Sequence, residues 1–160
     1  MTTIGIDNGT SGSIGILNGE GTIFEPTPIK DHLHYTKAGK FIKRIDILAL
    51  EALINRDGDI KAYIERPFTG AFVNTAVLAG RAYEATLIAL EEMGIGYETI
   101  DSKAWQKALL PGVKGSANLK KASKLRGIEL YPQLKQAIMD HGDADGLLIA
   151  HYYHDYKTQQ

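Results

Sequence analysis

Apolar positions fall along the chain in short blocks whose spacing changes from strand-like to helix-like. Thr3 to Asp7 is an apolar run that ends in an acid and is closed by the turn residues Asn8-Gly9-Thr10-Ser11-Gly12, which predicts a first strand. Ser13 to Leu17 predicts a second, and Asn18-Gly19-Glu20-Gly21 turns it into a third around Thr22-Ile23-Phe24. Residues 27–39 follow Pro26 and read as an exposed loop. Ile45, Leu48, Ala49, Ala52 and Leu53 recur at helical spacing and predict an amphipathic helix over 40–55. Ile60 to Glu65 is a strand halted by Arg66-Pro67, and a long helix over 74–93 follows. Its stripe Ala76, Ala79, Gly80, Tyr83, Leu87 and Leu90 holds three small residues, which permits close approach to a sheet or to a second copy of the chain. Residues 97–100 predict another strand, Ser102 caps a short helix to Leu109, and a basic helix covers 118–130. A last helix is expected over 141–154.

Three strands in a meander, then helix, strand, helix, strand and more helices, predict an α/β fold with a mixed sheet flanked by helices. A length of 160 residues suits one domain over 1–160, long enough to fold without staples. The absence of cysteine removes disulfides, thiolate zinc sites and cysteine nucleophiles, so any metal must sit on carboxylates and histidines. No basic stretch leads into an apolar run at the start and no apolar run is long enough for a membrane. A soluble protein of a reducing compartment is therefore expected, in the cytoplasm or, if phage-encoded, in that of the host.

Three carboxylates stand where the pattern does not want them. Asp7 ends the strand Ile4-Gly5-Ile6 and Glu65 ends Tyr63-Ile64. If those strands are parallel neighbours, the two acids meet at the carboxyl edge of the sheet, where ligands collect. In Asp140-His141-Gly142-Asp143-Ala144-Asp145-Gly146-Leu147-Leu148, the acids of a first helical turn complement the helix dipole. That reading suits Asp140 and Asp143 but not Asp145, which runs directly into a turn that must be packed. On a helix His141 and Asp145 would share a face, whereas Asp143 and Asp145 would not. Asp7, Glu65 and Asp145, with His141 as an uncertain fourth, make a hard oxygen-rich site for Mg²⁺ or Mn²⁺. Imidazole is a poor Mg²⁺ ligand and an acceptable Mn²⁺ one, and it can instead move a proton. Two such ions activate a water and stabilise the leaving oxygen of a phosphodiester.

The formal net charge of −1 hides an uneven distribution. Lys103, Lys107, Lys114, Lys120, Lys121, Lys124 and Arg126 follow one another with no acid between them, interleaved with Trp105 and glycine turns. This pattern suits a phosphate-backbone surface, to which Arg81 is added, although Lys120, Lys121 and Lys124 also fit a solvated helix face. Lys121 is the candidate to reach a scissile phosphate and balance its developing charge.

Four stretches in order resemble the RuvC-type Holliday-junction resolvases of the RNase H-like superfamily, especially their short phage and organellar forms. They are Ile4-Gly5-Ile6-Asp7-Asn8-Gly9, Ile64-Glu65-Arg66-Pro67-Phe68, Ser102 to Gly112 leading into Lys120-Lys121-Ala122-Ser123, and His141 to Ala150. The resemblance implies an RNase H-like mixed five-stranded sheet and a homodimer that resolves four-way DNA junctions with paired symmetric, metal-dependent nicks, leaving a 5′-phosphate and a 3′-hydroxyl. It carries Asp7, Glu65 and Asp145 over as metal-binding acids and Lys121 as the active-site lysine. Phe68 matches an aromatic that inserts between the junction's base pairs. Many members place two acids three or four apart on the last helix. Here position 142 is glycine and position 141 histidine, which some relatives use, and Asp143 is the alternative if that helix begins later.

Other classes remain. The opening motif also looks like the first phosphate loop of sugar kinases and heat-shock ATPases, but those need two domains, a second phosphate loop and an adenosine Gly-Gly motif. A non-catalytic junction-binding protein would have little use for clustered acids that repel phosphate. An RNase H-type nuclease would prefer an RNA–DNA hybrid.

Overall fold

The computed structural model describes residues 1–67 and 72–156. Strands β1 (Thr2–Ile6), β2 (Ser13–Asn18) and β3 (Gly21–Pro26) form the expected meander. A separate hairpin follows, made of β4 (Ile29–Leu33) and β5 (Phe41–Ile45), and then helix α1 (Ile47–Ile54). Strand β6 (Ile60–Glu65), helix α2 (Val73–Glu92) and strand β7 (Gly96–Ile100) come next. Helices α3 (Ser102–Leu109), α4 (Ser116–Leu130), α5 (Lys135–His141) and α6 (Asp145–His151) follow, with a 3-10 turn over Pro132–Leu134 before α5 and a π-helical segment over Tyr152–Tyr156 after α6. The main sheet has five strands in the order β3-β2-β1-β6-β7, with β1, β6 and β7 parallel and β2 antiparallel to both its neighbours. This is the α/β mixed five-stranded sheet expected of an RNase H-like domain.

Alternation along the strands sends side chains to two cores. Ile4, Ile6, Ile14, Ile16 and Ile64 pack with Leu50 and Ile54 of α1 and Ala82, Ala89 and Leu90 of α2. On the other face Leu17, Phe24 and Ile100 pack with Trp105 of α3, Ile138 of α5 and Leu147, Leu148 and Ile149 of α6. Helix α6 is buried from Gly146 to Ala150, so it works as an interior element rather than an amphipathic one. No helix among the described residues is long and apolar enough to cross a membrane.

Three expectations need correction. The loop over 27–39 and the helix start at 40 are instead the β4–β5 hairpin, because Ile45 is the last strand residue and Asp46 caps α1 by accepting from the Ala49 N–H at 3.4 Å. The hairpin is a sheet of its own with every residue of β4 exposed, so that only β5, with Ile42, Arg44 and Ile45 turned inward, carries a burial pattern. Its register is held by cross-strand pairs such as Ile29 with Ile45 and the ion pair Lys43–Asp31 at 2.7 Å. Helix α3 is capped by Asp101, which accepts from the Lys103 N–H at 2.8 Å, and not by Ser102. The last helix starts at Asp145 and not at His141, which instead ends the unexpected helix α5, since Gly142 takes φ of 105° after it, a left-handed turn that stops a helix.

Helix α6 lies on β1 and β2 backbone to backbone. A methyl group on Gly5 would overlap the Ala150 nitrogen and the Gly146 carbonyl oxygen, and one on Gly15 would overlap the Leu147 Cα. Gly5 and Gly15 are cross-strand partners, so together they form the flat floor on which the helix rests. Gly5→Ala or Gly15→Ala is expected to lower stability by at least about 3 kcal/mol in urea unfolding, because backbone cannot step aside as a side chain can. Gly19→Ala, in a turn with nothing within 4 Å of the new methyl, should change it by less than about 1 kcal/mol.

Candidate metal centre and nucleic-acid interface

Parallel pairing of Ile6 with Ile64 sets the residues that follow them, Asp7 and Glu65, side by side at the carboxyl edge of the sheet. Asp145 is the first residue of α6, and its place is settled by the glycine floor beneath that helix. Asp143 sits in the short link between α5 and α6. Carboxylate oxygens of Asp7, Asp143 and Asp145 lie within 4.8 Å of one another, with Asp143 buried and the other two partly open to solvent. Because α6 begins only at Asp145, the helical geometry that would have turned Asp143 away does not apply. His141, at the end of α5, cannot share a helix face with Asp145 as expected.

His141 contacts the cluster through Asp143, with Nε2 at 3.3 Å from Oδ1, long and poorly aligned for a hydrogen bond, and its ring meets Phe24 edge-on. Glu65 lies beside the triad, where its Oε2 accepts from the Trp105 indole N–H at 3.1 Å. Trp105 is fully buried, so it is no part of the basic surface on which the sequence placed it. Lys120 and Lys121 are both exposed, and it is Lys120 whose Nζ comes within 3.3 Å of Asp143 Oδ2. One residue is about 100° around a helix, and α4 turns Lys120, Ser123 and Gly127 toward the acids.

Ser123 had no role assigned from sequence. Its hydroxyl donates to Asp145 Oδ1 and accepts from the Ala144 N–H at 3.1 Å. Ser13 Oγ accepts from the Gly146 N–H at 3.1 Å, so buried serines satisfy the start of α6. The signal available was a small residue four before Gly127, whose own added methyl would overlap Ala144. Those two mark the face of α4 that approaches α6, and Lys120 shares it.

The electrostatics separate the acids. Burial, then the charges of Asp145, Glu65 and Asp143, push Asp7 well above the usual carboxylate range, against a lowering by Lys120. Burial and the Asp143 charge lift Asp145 to about 6 although Ser123, Lys120 and His141 oppose them. Burial lifts Glu65 to about 7, with the Trp105 hydrogen bond pulling it down and Asp145 and Asp101 pushing it up. Burial also raises Asp143, but His141, the Asp145 N–H and Lys120 outweigh it and leave that carboxyl below its ordinary value. One acid is held ionised while three resist ionisation, a state that a multivalent cation would relieve.

The basic strip gathers in part. Lys103, Lys107 and Lys114 line one hollow between α3 and α4. Lys124 is partly buried on α4, and Arg126 pairs with Glu129 at 2.8 Å. Arg81 is on α2, on the other face of the sheet. Phe68 lies outside the described residues.

Neither a family model nor a curated protein matches the sequence. Solved structures do. A structure described as T. thermophilus RuvC in complex with Holliday junction substrate superposes with a TM-score of 0.57 at 18% identity, covering 99% of this chain and 96% of that one. The fold is that of RuvC. A second Thermus thermophilus RuvC structure superposes with a TM-score of 0.52 over the same shares of both chains, again at 18% identity. The RuvC-type fold therefore spans the chain, while the roles of individual side chains rest on the geometry above.

A pH test isolates Glu65. Its folded value of about 7 stands above the ordinary 4.5, so between those pH values the folded protein holds more protons than the unfolded one. Stability from this group is complete below pH 4.5 and is lost as pH rises through 7. In EDTA, Glu65→Gln should therefore be more stable than the parent at pH 8, by up to about 3 kcal/mol, and the gap should close by pH 4.5. Chemical denaturation at both pH values measures it.

Proposed function

We propose that the chain is a divalent-metal-dependent endonuclease of branched DNA, a homodimer that resolves four-way junctions by paired symmetric nicks. The observation that carries this reading is the gathering of Asp7, Asp143 and Asp145, with Glu65 beside them, at the carboxyl edge of a RuvC-type sheet. The T. thermophilus protein that shares this fold is described on a Holliday junction, which supports the choice of substrate.

The donors are all hard oxygens, and Lys120 is the one ammonium at the cluster among the described residues, so the set fits Mg²⁺ or Mn²⁺. Asp7, Glu65, Asp143 and Asp145 would hold a pair of ions, with His141 orienting Asp143 from behind the ligand. Such ions supply Lewis acidity at a phosphodiester and a source of nucleophilic water near neutral pH. Ser123 fixes the Asp145 carboxylate and Trp105 fixes that of Glu65, which spares reorganisation when substrate arrives. Lys120 takes the role first assigned to Lys121 and balances charge on the phosphate. Lys103, Lys107, Lys114, Lys124 and Arg126 would hold duplex arms, a contact that carries no base information.

A synthetic four-way junction with Mg²⁺ or Mn²⁺ tests the reading, beside plain duplex and RNA–DNA hybrid. Paired nicks at symmetric positions are expected, abolished by EDTA and by Asp7→Asn. Lys120→Ala should lose about a hundredfold in rate and Lys121→Ala only a few-fold. Tight junction binding without nicks would leave a binding protein, and preference for hybrid an RNase H-type enzyme.

The dimer is assigned to the exposed start of α2. Phe72, Val73 and Val77 are exposed there, and a methyl on Gly80 would meet nothing within 4 Å. Ala76→Arg is expected to give a monomer in sedimentation that still unfolds cooperatively, at a Tm lowered and no longer dependent on protein concentration, and to turn paired nicks into single ones.

A further inference from the structure

We propose that the β4–β5 hairpin and the adjoining face of α2 form a second phosphate-binding surface, which takes DNA backbone on the side of the acid cluster away from α3 and α4. It rests on the nuclease reading above and adds a contact which that reading does not contain.

The hairpin region 29–45 carries Lys30, Lys37, Lys40, Lys43 and Arg44 against the single acid Asp31. Lys43 is matched by Asp31 at 2.7 Å and Lys30 by Asp46 at 3.7 Å, while Lys37 and Lys40 at the tip are exposed. The tip folds back over α2, and the Arg81 guanidinium lies 4.6 Å from the centre of the Tyr35 ring. Arg81 Nη1 is buried without a hydrogen-bond partner among the described residues. A buried guanidinium nitrogen left without an acceptor is costly, and an anion is what satisfies it. His34, Tyr35 and Lys37 from the tip line one hollow with Asn74, Leu78 and Arg81 of α2. Tyr35 and Phe41 are exposed, with ring faces on which the bases of an opened strand can stack.

Position links this surface to the acids. Ser13 pairs with Pro26 at the end of β3, so the hairpin leaves the sheet at the same edge as Asp7. The Thr27 N–H donates to the Gly12 carbonyl at 3.0 Å, tying the hairpin's base to the turn that follows Asp7. Asn8 Nδ2 donates to the Ala79 carbonyl at 3.3 Å, and Thr10 lines a hollow with Arg44 and Arg81. The cluster thus lies between two basic surfaces, one on each face of the sheet. Asn74, Leu78 and Arg81 point away from Val73, Ala76 and Gly80 by roughly 130° around α2, while Val77 lines the hollow and borders both faces, so the groove and the dimer surface adjoin.

The test is binding in EDTA, which separates it from cleavage. Fluorescence anisotropy of a labelled four-way junction, a duplex and a single strand is followed from low to moderate salt for the parent, Lys37→Ala/Lys40→Ala and Arg81→Gln. The double variant should bind the junction about tenfold more weakly and lower the salt slope by about two. Arg81→Gln should lower the slope by about one, with thermal unfolding confirming that both variants fold. A parent that binds while both variants match it in affinity and slope overturns the hairpin surface and leaves the nuclease reading standing. A parent that binds none of the three DNAs overturns both. Unchanged DNA affinity with an altered sedimentation coefficient would show that a second copy covers the groove, and would also overturn it.

Discussion

Helix α6 touches the sheet with backbone rather than side chains, and the rest of the site depends on that contact. Gly5 and Gly15, paired across β1 and β2, leave no room for a Cβ under Ala150 and Leu147, and Gly146 leaves none above Ser13. The helix can neither slide nor roll on such a floor, so Asp145 at its first position is held beside Asp7. This placement is electrostatically unfavourable. Two ionised carboxylates about 5 Å apart at an effective dielectric constant near 20 repel by about 3 kcal/mol. Burial of one Leu or Ile contributes about 1.5–3 kcal/mol, and α6 buries Leu147, Leu148 and Ile149 completely. Packing of this one short helix is therefore large enough to hold the acids together against their charge.

Neighbours of the acids divide into those that hold and those that neutralise. Ser123 and Trp105 bring neutral hydrogen-bond donors, which orient Asp145 and Glu65 without cancelling charge. Lys120 brings charge but rests on Asp143, the acid that His141 also faces. Compensation is thus concentrated on one carboxylate, and burial raises the other three. A site built only for stability would spread its cations or dispense with the acids. This one keeps its carboxyl groups oriented, partly open and short of compensating cations, which is the condition for cation binding.

Much of this was legible in the chain. The apolar runs ending in Asp7 and Glu65 marked both strands, β1 most clearly because it is buried on both faces, and the parallel pairing that the reading made a condition is the one the fold has. The hairpin was not legible, since β4 is exposed throughout and the inward side of β5 is marked only by Ile42, Arg44 and Ile45, too short an alternation to stand out. The acid at 143 was obscured by reading one helix through Gly142, although a glycine directly after His141 is a common helix stop. Lys120 and Lys121 could not be separated by composition. The face of α4 is identified by what it must avoid, the Ala144 methyl against Gly127, and that is a tertiary fact. Ser123 belongs to the same class, because a serine within a helix signals a role only when its partner is known.

Net charge near zero is compatible with a polyanion partner when charge is segregated. The acids sit at the sheet edge, the α3–α4 lysines on one face and the hairpin cations with Arg81 on the other. A phosphate chain approaching this edge meets attraction from both sides and repulsion at the centre. The repulsion is what the raised carboxylates express, and two divalent ions would reverse its sign. On the proposed reading, flanking cations would fix where the backbone lies before the centre becomes attractive, and binding and cutting would respond to different ions. Salt would weaken such flanking contacts through counterion competition, whereas chelation of divalent metal would act on the centre alone. The two contributions are separable because the fold has put them on different elements.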